Sequence, residues 1–478
     1  MKTFKRYIML GLMFAIAGIG LQSCLFEEDD NFEQSAATRL TEDVNNYMEL
    51  LQSAPNGWLM EYYIGPDYAL GGIPVLCRFT KDKVEMATTL PFGGSVPGQK
   101  YSSLYTVKSE KSTSLSFDTY NPIIHYLASP GIADEYNPNA TYGGDYEFVL
   151  RSGDKDKIVL EGKKYANTMV LTRLGDDVNW AEYIKKANVV SEQAFRDVYN
   201  LVVDGKVVGQ FKRFNWVLTY TPSTGGESVE MPFFYTDEGL KLRIPIQVDG
   251  MEAVNFRWNV RTMTFNCSDA GAEKVSIVSS FPEDAHLYYD FEGTYKLTAT
   301  KPYFNWDTYE TERWDDPVSL TVRIEADSIN YSYNMVEVNP AESPDDANFL
   351  HKPIPVFYGQ EDGQLYIMPT PLAYDYDWDY YPMALCLVYP GTWDGEYVEF
   401  SAADIRAEAF LKGNITSESP FTLTFKGMAK VVDEYTGEEH IVPSYGFALM
   451  SYEDDSYEST MGHRRWFNHV KLERIDKE

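Results

Sequence analysis

Trp58-Leu59-Met60-Glu61-Tyr62-Tyr63 opens, and Thr168-Met169-Val170-Leu171-Thr172-Arg173-Leu174 closes, the succession of short runs that decides the fold. Between them lie Val75 to Phe79, Val84 to Thr88, Leu104 to Val107, Leu115 to Phe117, Tyr146 to Leu150 and Ile158 to Leu160. Each run is rich in β-branched or aromatic residues, and Gly, Pro, Asn, Asp or Lys-rich turns separate them, which is the signature of antiparallel sheet. Eight such runs suit a barrel or a sandwich. The expected class is therefore mainly β, with antiparallel barrel or sandwich domains and a few short helices.

Helical spacing interrupts this text at few places. Leu40, Val44, Tyr47, Met48 and Leu51 recur at helical intervals from about Thr41 to Ser53, before Pro55-Asn56-Gly57. Val178 to Tyr199 reads as a helical interval, with Trp180, Tyr183, Ile184 and Ala187 on one face and Ser191 as a fresh cap. Strands resume from about Val207 to Val278. Phe281-Pro282-Glu283-Asp284 breaks the pattern, and Phe291-Glu292-Gly293-Thr294-Tyr295 opens a second module with Val318-Leu320-Val322-Ile324 alternation. Val338 to Pro355 reads as loop, Ala402 to Leu411 as a helix capped by Ser401 and stopped by Gly413, and Trp466 to Ile475 as the closing strand. The expected organisation is residues 1–23 as a signal peptide, 24–39 as an acidic tether, 40–280 as an N-terminal β-rich domain with a helical insert near 178–199, and 290–478 as a C-terminal β-rich domain.

The N-terminus carries an address. Lys2, Lys5 and Arg6 precede the apolar stretch Ile8 to Leu21, and Leu21-Gln22-Ser23-Cys24 ends it with a small residue before a cysteine. This is the pattern of a lipoprotein signal, with Cys24 as the acylated first mature residue. The stretch is too short for a spanning helix, which needs about 20 apolar residues. Each buried acyl CH₂ contributes about 0.8 kcal/mol, so two or three palmitate-like chains would hold the protein on a bilayer. In Bacteroidetes lipoproteins, which this N-terminus resembles, an acidic run such as Glu27-Glu28-Asp29-Asp30 accompanies export to the outer face of the outer membrane. The same run is also a solvated tether.

The 478 residues are 44% hydrophobic, 24% charged and 15% aromatic, with a formal net charge of −31. That charge argues against nucleic acid as a partner, because phosphate binding needs clustered Lys and Arg. It also leaves membrane attachment to the acyl chains, and suits solubility at an exposed surface. Cys77, Cys267 and Cys386 lie far apart in apolar runs and read as small buried hydrophobes, although a Cys77 to Cys267 bridge is compatible with an oxidising compartment.

Candidate chemistry is sparse. Tyr374-Asp375-Tyr376-Asp377-Trp378-Asp379-Tyr380-Tyr381, read as a strand, places acids on one face and rings on the other. Tyr376, Trp378 and Tyr380 are then candidate ligand contacts on a sugar platform, and the alternative is a strand with its rings in the core. As a calcium loop the segment fails, since Tyr380 stands where glycine is needed and Cys386 where the bidentate Glu should be. Trp306 and Trp314, in a loop-like stretch with Tyr303, Phe304 and Tyr309, form a second aromatic candidate. The six histidines show no metal-binding spacing, and neither a Gly-x-Ser-x-Gly elbow nor a phosphate-cradling glycine loop occurs. No catalytic, cofactor or metal residue is assigned. Asp327-Ser328-Ile329 resembles the short O-glycosylation acceptor of exported Bacteroidetes proteins, with Ser328 as the modified residue, and reads equally as a tight turn.

Leu115-Ser116-Phe117-Asp118-Thr119-Tyr120-Asn121-Pro122-Ile123-Ile124-His125-Tyr126, with Gly143-Gly144-Asp145-Tyr146-Glu147-Phe148 and Gly162-Lys163-Lys164, resembles an uncharacterised family of Bacteroidetes outer-membrane lipoproteins bearing a domain of unknown function. The resemblance covers about Leu40 to Val278. It implies a supporting surface protein beside an outer-membrane transporter, in nutrient-uptake loci of the starch-utilisation type, and brings no catalytic residues. Within that stretch Asp118, Asn121, His125 and Asp145, in the Gly143-Gly144-Asp145 turn, are the candidate polar positions, as ligand contacts or as caps and turn bonds. The expected role is a lipid-anchored, cell-surface, non-enzymatic protein that binds a glycan or peptide nutrient or supports an uptake complex. A hydrolase and a structural adhesin are the alternatives.

Overall fold

Trp58 marks where helix gives way to sheet. Its indole N–H donates to the Leu51 carbonyl at 2.9 Å, which supplies a partner to a last-turn carbonyl that has none within the helix. The computed structural model describes residues 36–478 apart from 66–67, 69, 92, 134–135, 306, 309, 328–330, 339–352, 376–380, 394–395, 403–408, 433–436, 455, 458–459 and 477–478. The helix ending at Leu51 and Gln52 is α1, Ala36–Gln52.

Eight strands follow: β1 Trp58–Tyr63, β2 Gly72–Phe79, β3 Lys83–Thr88, β4 Tyr101–Ser109, β5 Thr113–Phe117, β6 Glu147–Gly153, β7 Lys157–Gly162 and β8 Thr168–Arg173. They pair in sequence order and close into a barrel. Period-two alternation fills its interior, with Leu115 and Phe117, Phe148 and Leu150, Ile158 and Leu160, and Met169 and Leu171 all buried. Between β5 and β6 lies α2, Pro122–His125, extended by a 3₁₀ turn at Tyr126–Ala128.

The second barrel is preceded by α3, Trp180–Gln193, whose N-cap Asn179 accepts from the Ala181 and Glu182 amides at 3.0 and 3.2 Å. The helix runs through Ser191 without a fresh cap and buries Trp180, Tyr183, Ile184, Ala187 and Val190. Strands β9 Val198–Val203, β10 Lys206–Phe214, β11 Val217–Pro222, β12 Val229–Tyr235, β13 Gly239–Val248, β14 Met251–Asn259, β15 Thr264–Cys267 and β16 Val275–Ser279 then close on themselves through Val275↔Val203 to Ser279↔Tyr199.

The C-terminal strands are β17 Gly293–Asn305, β18 Glu310–Asp327, β19 Ser332–Glu337, β20 Ile354–Tyr358, β21 Leu365–Ile367, β22 Thr370–Asp375, β23 Tyr381–Trp393, β24 Glu396–Ala402, β25 Ala409–Glu418, β26 Phe421–Val432, β27 Glu439–Ser444, β28 Gly446–Tyr452 and β29 Thr460–Arg474. A third ring runs β29-β17-β18-β19-β20-β21-β25-β26 and returns to β29 through Thr422↔Glu473, Leu423↔Leu472 and Thr424↔Lys471. The last strand thus closes the sheet. The remaining strands extend it as a second layer of pairings, β28 on β29 and β23 on β28.

The chain divides into two compact units, one of residues up to 61 with 76–86 and 100–177, the other of 62–75, 87–99 and 178–478. The second and third barrels both fall in the latter, where the Arg196 guanidinium donates to the carbonyls of Ser280 at 3.0 Å and Gln360 at 2.5 Å. Tyr331 donates there to the Gln193 carbonyl, with the Phe195 ring edge-on to it at 4.5 Å.

Three local readings are corrected. Ala402 ends β24 and Ala409 to Leu411 begin β25, so the expected helix from Ala402 to Leu411 is not formed at either end; residues 403–408 lie outside the described residues. Burial of Leu411 in the third ring, in register with Ile367 and Gly427, outweighs the cap-like sequence. Asp375 and Tyr381 are cross-strand partners of β22 and β23, so Tyr374 to Tyr381 is not one strand. Tyr303 and Phe304 belong to the β17–β18 hairpin, paired with Arg313 and Thr311, and not to a loop.

Cys77, Cys267 and Cys386 are buried and unbridged. Among the described residues, no helix is long and apolar enough to cross a membrane.

Candidate functional site

In the first barrel the connection from β5 to β6, Asp118 to Tyr146, is long for a compact domain, where extended loops on a rigid scaffold carry binding residues. Its sequence begins with an unambiguous stop. Asn121 is fully buried and its side-chain oxygen accepts from the Ile123 amide at 3.0 Å, capping α2 with Pro122 in the first turn. The Asn121 amide group reaches down to Ser103 Oγ at 3.3 Å and the Tyr101 carbonyl at 3.4 Å.

His125 is held at both ring nitrogens. The Asn121 backbone N–H donates to Nδ1 at 3.1 Å, so Nδ1 is an acceptor and Nε2 carries the proton, which it donates to the Phe117 carbonyl at 3.0 Å. Burial pushes its pKa below the ordinary 6.5, partly offset by the bonds to Phe117 and Asn121. The neutral ring is thereby fixed in one tautomer and one orientation.

On that fixed ring two tyrosines gather. Tyr146 stacks on His125 at 5.1 Å and 23°, and Tyr120 lies at 5.7 Å and 37°. Tyr120 is 63% exposed and Tyr146 46%. The same loop exposes Tyr142, which meets Tyr126 at 6.4 Å, and Tyr136, 92% exposed. Asp118, at the start of the loop, is exposed and accepts from Ser116 Oγ at 2.7 Å.

The loop is braced from below. Asp145, 3% exposed, accepts from the Lys164 and Tyr165 amides at 2.8 and 3.2 Å and from Asn167 Nδ2 at 2.7 Å. Asn167 Nδ2 also reaches the Gly143 carbonyl at 2.6 Å. Gly144 packs so closely that a Cβ there would stand 2.8 Å from the Leu127 carbonyl carbon, and one at Gly162 would stand 1.9 Å from Asp145 Oδ2. The backbone next to Tyr120 and Tyr146 is therefore tied down on both sides of the platform, which lowers the entropy cost of binding there.

Of the polar positions taken from the sequence, Asn121 and His125 come together, Asp118 is bonded instead to Ser116, and Asp145 supports the same loop next to Tyr146. Asn121 and Asp145 face inward as supports. Sequence reasoning passed over Tyr120, Tyr136, Tyr142 and Tyr146, although tyrosines interleaved with turn residues in Tyr136-Asn137-Pro138-Asn139-Ala140-Thr141-Tyr142-Gly143-Gly144 were the available signal. Tyr376, Trp378, Tyr380, Trp306, Ser328 and Cys24 lie outside the described residues, and Trp314 lies on β18 with its side chain outside them. Among the described residues no group of three or more His, Cys, Asp and Glu side chains is arranged to hold a metal ion.

Residues 28–260 match the protein family described as Domain of unknown function (DUF4302). This range contains the whole β5–β6 loop. No curated protein and no solved structure matches the chain.

Proposed function

We propose that this chain is a lipid-anchored surface protein of the outer membrane that captures a nutrient oligosaccharide on the Tyr120-His125-Tyr146 platform. The observation that carries the reading is the stack itself: two exposed tyrosines ordered on a half-buried, tautomer-locked histidine. Pyranose rings have apolar C–H faces that lie against aromatic rings, while phenol hydroxyls and a carboxylate such as Asp118 take the sugar hydroxyls. A platform of this kind binds without bond cleavage, so the role is capture for an outer-membrane transporter. Acyl chains on Cys24 supply the attachment, and the strong negative charge keeps the body in solvent. Calorimetric titration of the full-length, detergent-extracted protein with a panel of oligosaccharides tests the reading, with Tyr120→Ala and Tyr146→Ala as the diagnostic variants.

A further inference from the structure

A second opening lies on the other compact unit, away from the tyrosine loop in sequence. It is a groove of about 420 Å³ between α3 and the second barrel, within the size range of small-molecule sites. One wall is the polar side of α3 with Glu182, Lys185 and Lys186, and the other is the β12–β13 turn with Asp237 and Glu238. Trp258 lines the groove, its indole N–H donating to Gln193 Oε1 at 3.0 Å and its ring packed 4.5 Å from Phe265. The apolar surface is thus held in one orientation.

The charges on the two walls act on each other across the groove without a direct ion pair. Glu238 is paired with Arg257 at 3.0 Å, but among the described residues neither Asp237 nor Lys185 or Lys186 forms an ion pair. Asp237 is half-buried, and its pKa is raised, first by burial and then by the neighbouring Glu238, with Lys186 acting in the opposite direction. A half-buried carboxylate thus lies across an open groove from two solvent-exposed ammonium groups, with no ion pair of the described residues joining the two sides.

We propose that this groove binds a small zwitterionic ligand of the amino acid or short-peptide class, its ammonium group at Asp237, its carboxylate at Lys185 and Lys186, and its side chain against Trp258. The geometry suits a dipolar molecule because the half-buried Asp237 and the Lys185 and Lys186 pair have opposite sign and lie on different elements, with Glu182 at the edge of the lysine side. A purely anionic or purely cationic ligand would satisfy one wall and be repelled by the other.

The test is titration calorimetry of the full-length protein with glycyl-leucine, its N-acetylated form and its C-terminal amide. The free dipeptide is expected to bind, and each blocked form to bind about tenfold more weakly or worse, as expected for loss of a charge-assisted contact. Asp237→Asn and Lys186→Gln are expected to reproduce those losses with unchanged melting temperature, while Tyr146→Ala leaves dipeptide affinity intact. Equal binding of free and blocked dipeptides, no binding at all, or full affinity in Asp237→Asn would overturn the assignment. None of these outcomes bears on the oligosaccharide platform.

Discussion

The His125 imidazole lies 5.1 Å from the Tyr146 ring and nearly parallel to it, while its two nitrogens are spent on backbone partners. The histidine therefore acts as a fixed shelf under an exposed tyrosine. Its chemistry is turned inward, toward Phe117 and Asn121, and away from solvent.

Acid should loosen that shelf. The folded pKa of His125 is depressed below 6.5, so its contribution to stability is fully present above about pH 6.5 and is lost as pH falls through the lower folded value. Protonation would set an Nδ1–H against the Asn121 N–H, two donors facing each other. Wild-type protein should lose melting temperature and oligosaccharide affinity between pH 7 and 5 more steeply than His125→Gln. Parallel profiles for the two proteins would show that the ring does not titrate in this way.

The supports beneath the loop should be felt as stability. Asn121→Ala removes an N-cap and a buried amide, at a cost of about 1–2 kcal/mol. Asp145→Ala strips an acceptor from several buried donors of the turn at 164–167, at a cost of roughly 2–4 kcal/mol. Urea denaturation checks both, and changes below about 0.5 kcal/mol would place the loop's order elsewhere.

Attachment is separable from binding. Cys24→Ser should release the protein from the membrane fraction while leaving oligosaccharide affinity unchanged, because the anchor and the platform share no residues. Membrane recovery of the serine variant equal to wild type, measured by fractionation, would rule out acylation as the tether.

Much of the architecture was legible because barrel strands repeat one local rule. Leu115-x-Phe117, Phe148-x-Leu150 and Ile158-x-Leu160 announce both strand and facing from sequence alone. The β25 strand was not legible, since Ser401 and the alanines after it satisfy helix-start signals, and only non-local pairing of Leu411 with Ile367 and Gly427 decides otherwise. Asn121 and His125 could be singled out as polar residues in an apolar run, but their mutual bond depends on one turn of helix placing them four residues apart. The gathering of Tyr120 and Tyr146 on His125 was invisible for a further reason. Those residues are distant in sequence and share the His125 ring only because β5 and β6 are neighbours in the closed ring. The Asp237 and Lys186 groove depends likewise on how α3 lies along β12.

The most direct test is calorimetry of wild type and of the Tyr120→Ala/Tyr146→Ala double variant against the same oligosaccharide panel. Wild type should bind at least one extended oligosaccharide, and the double variant should lose about tenfold or more in affinity while keeping its melting temperature, as expected for removal of exposed aromatic contacts. Undiminished affinity in the folded double variant, or no binding of any oligosaccharide by wild type, would contradict the platform.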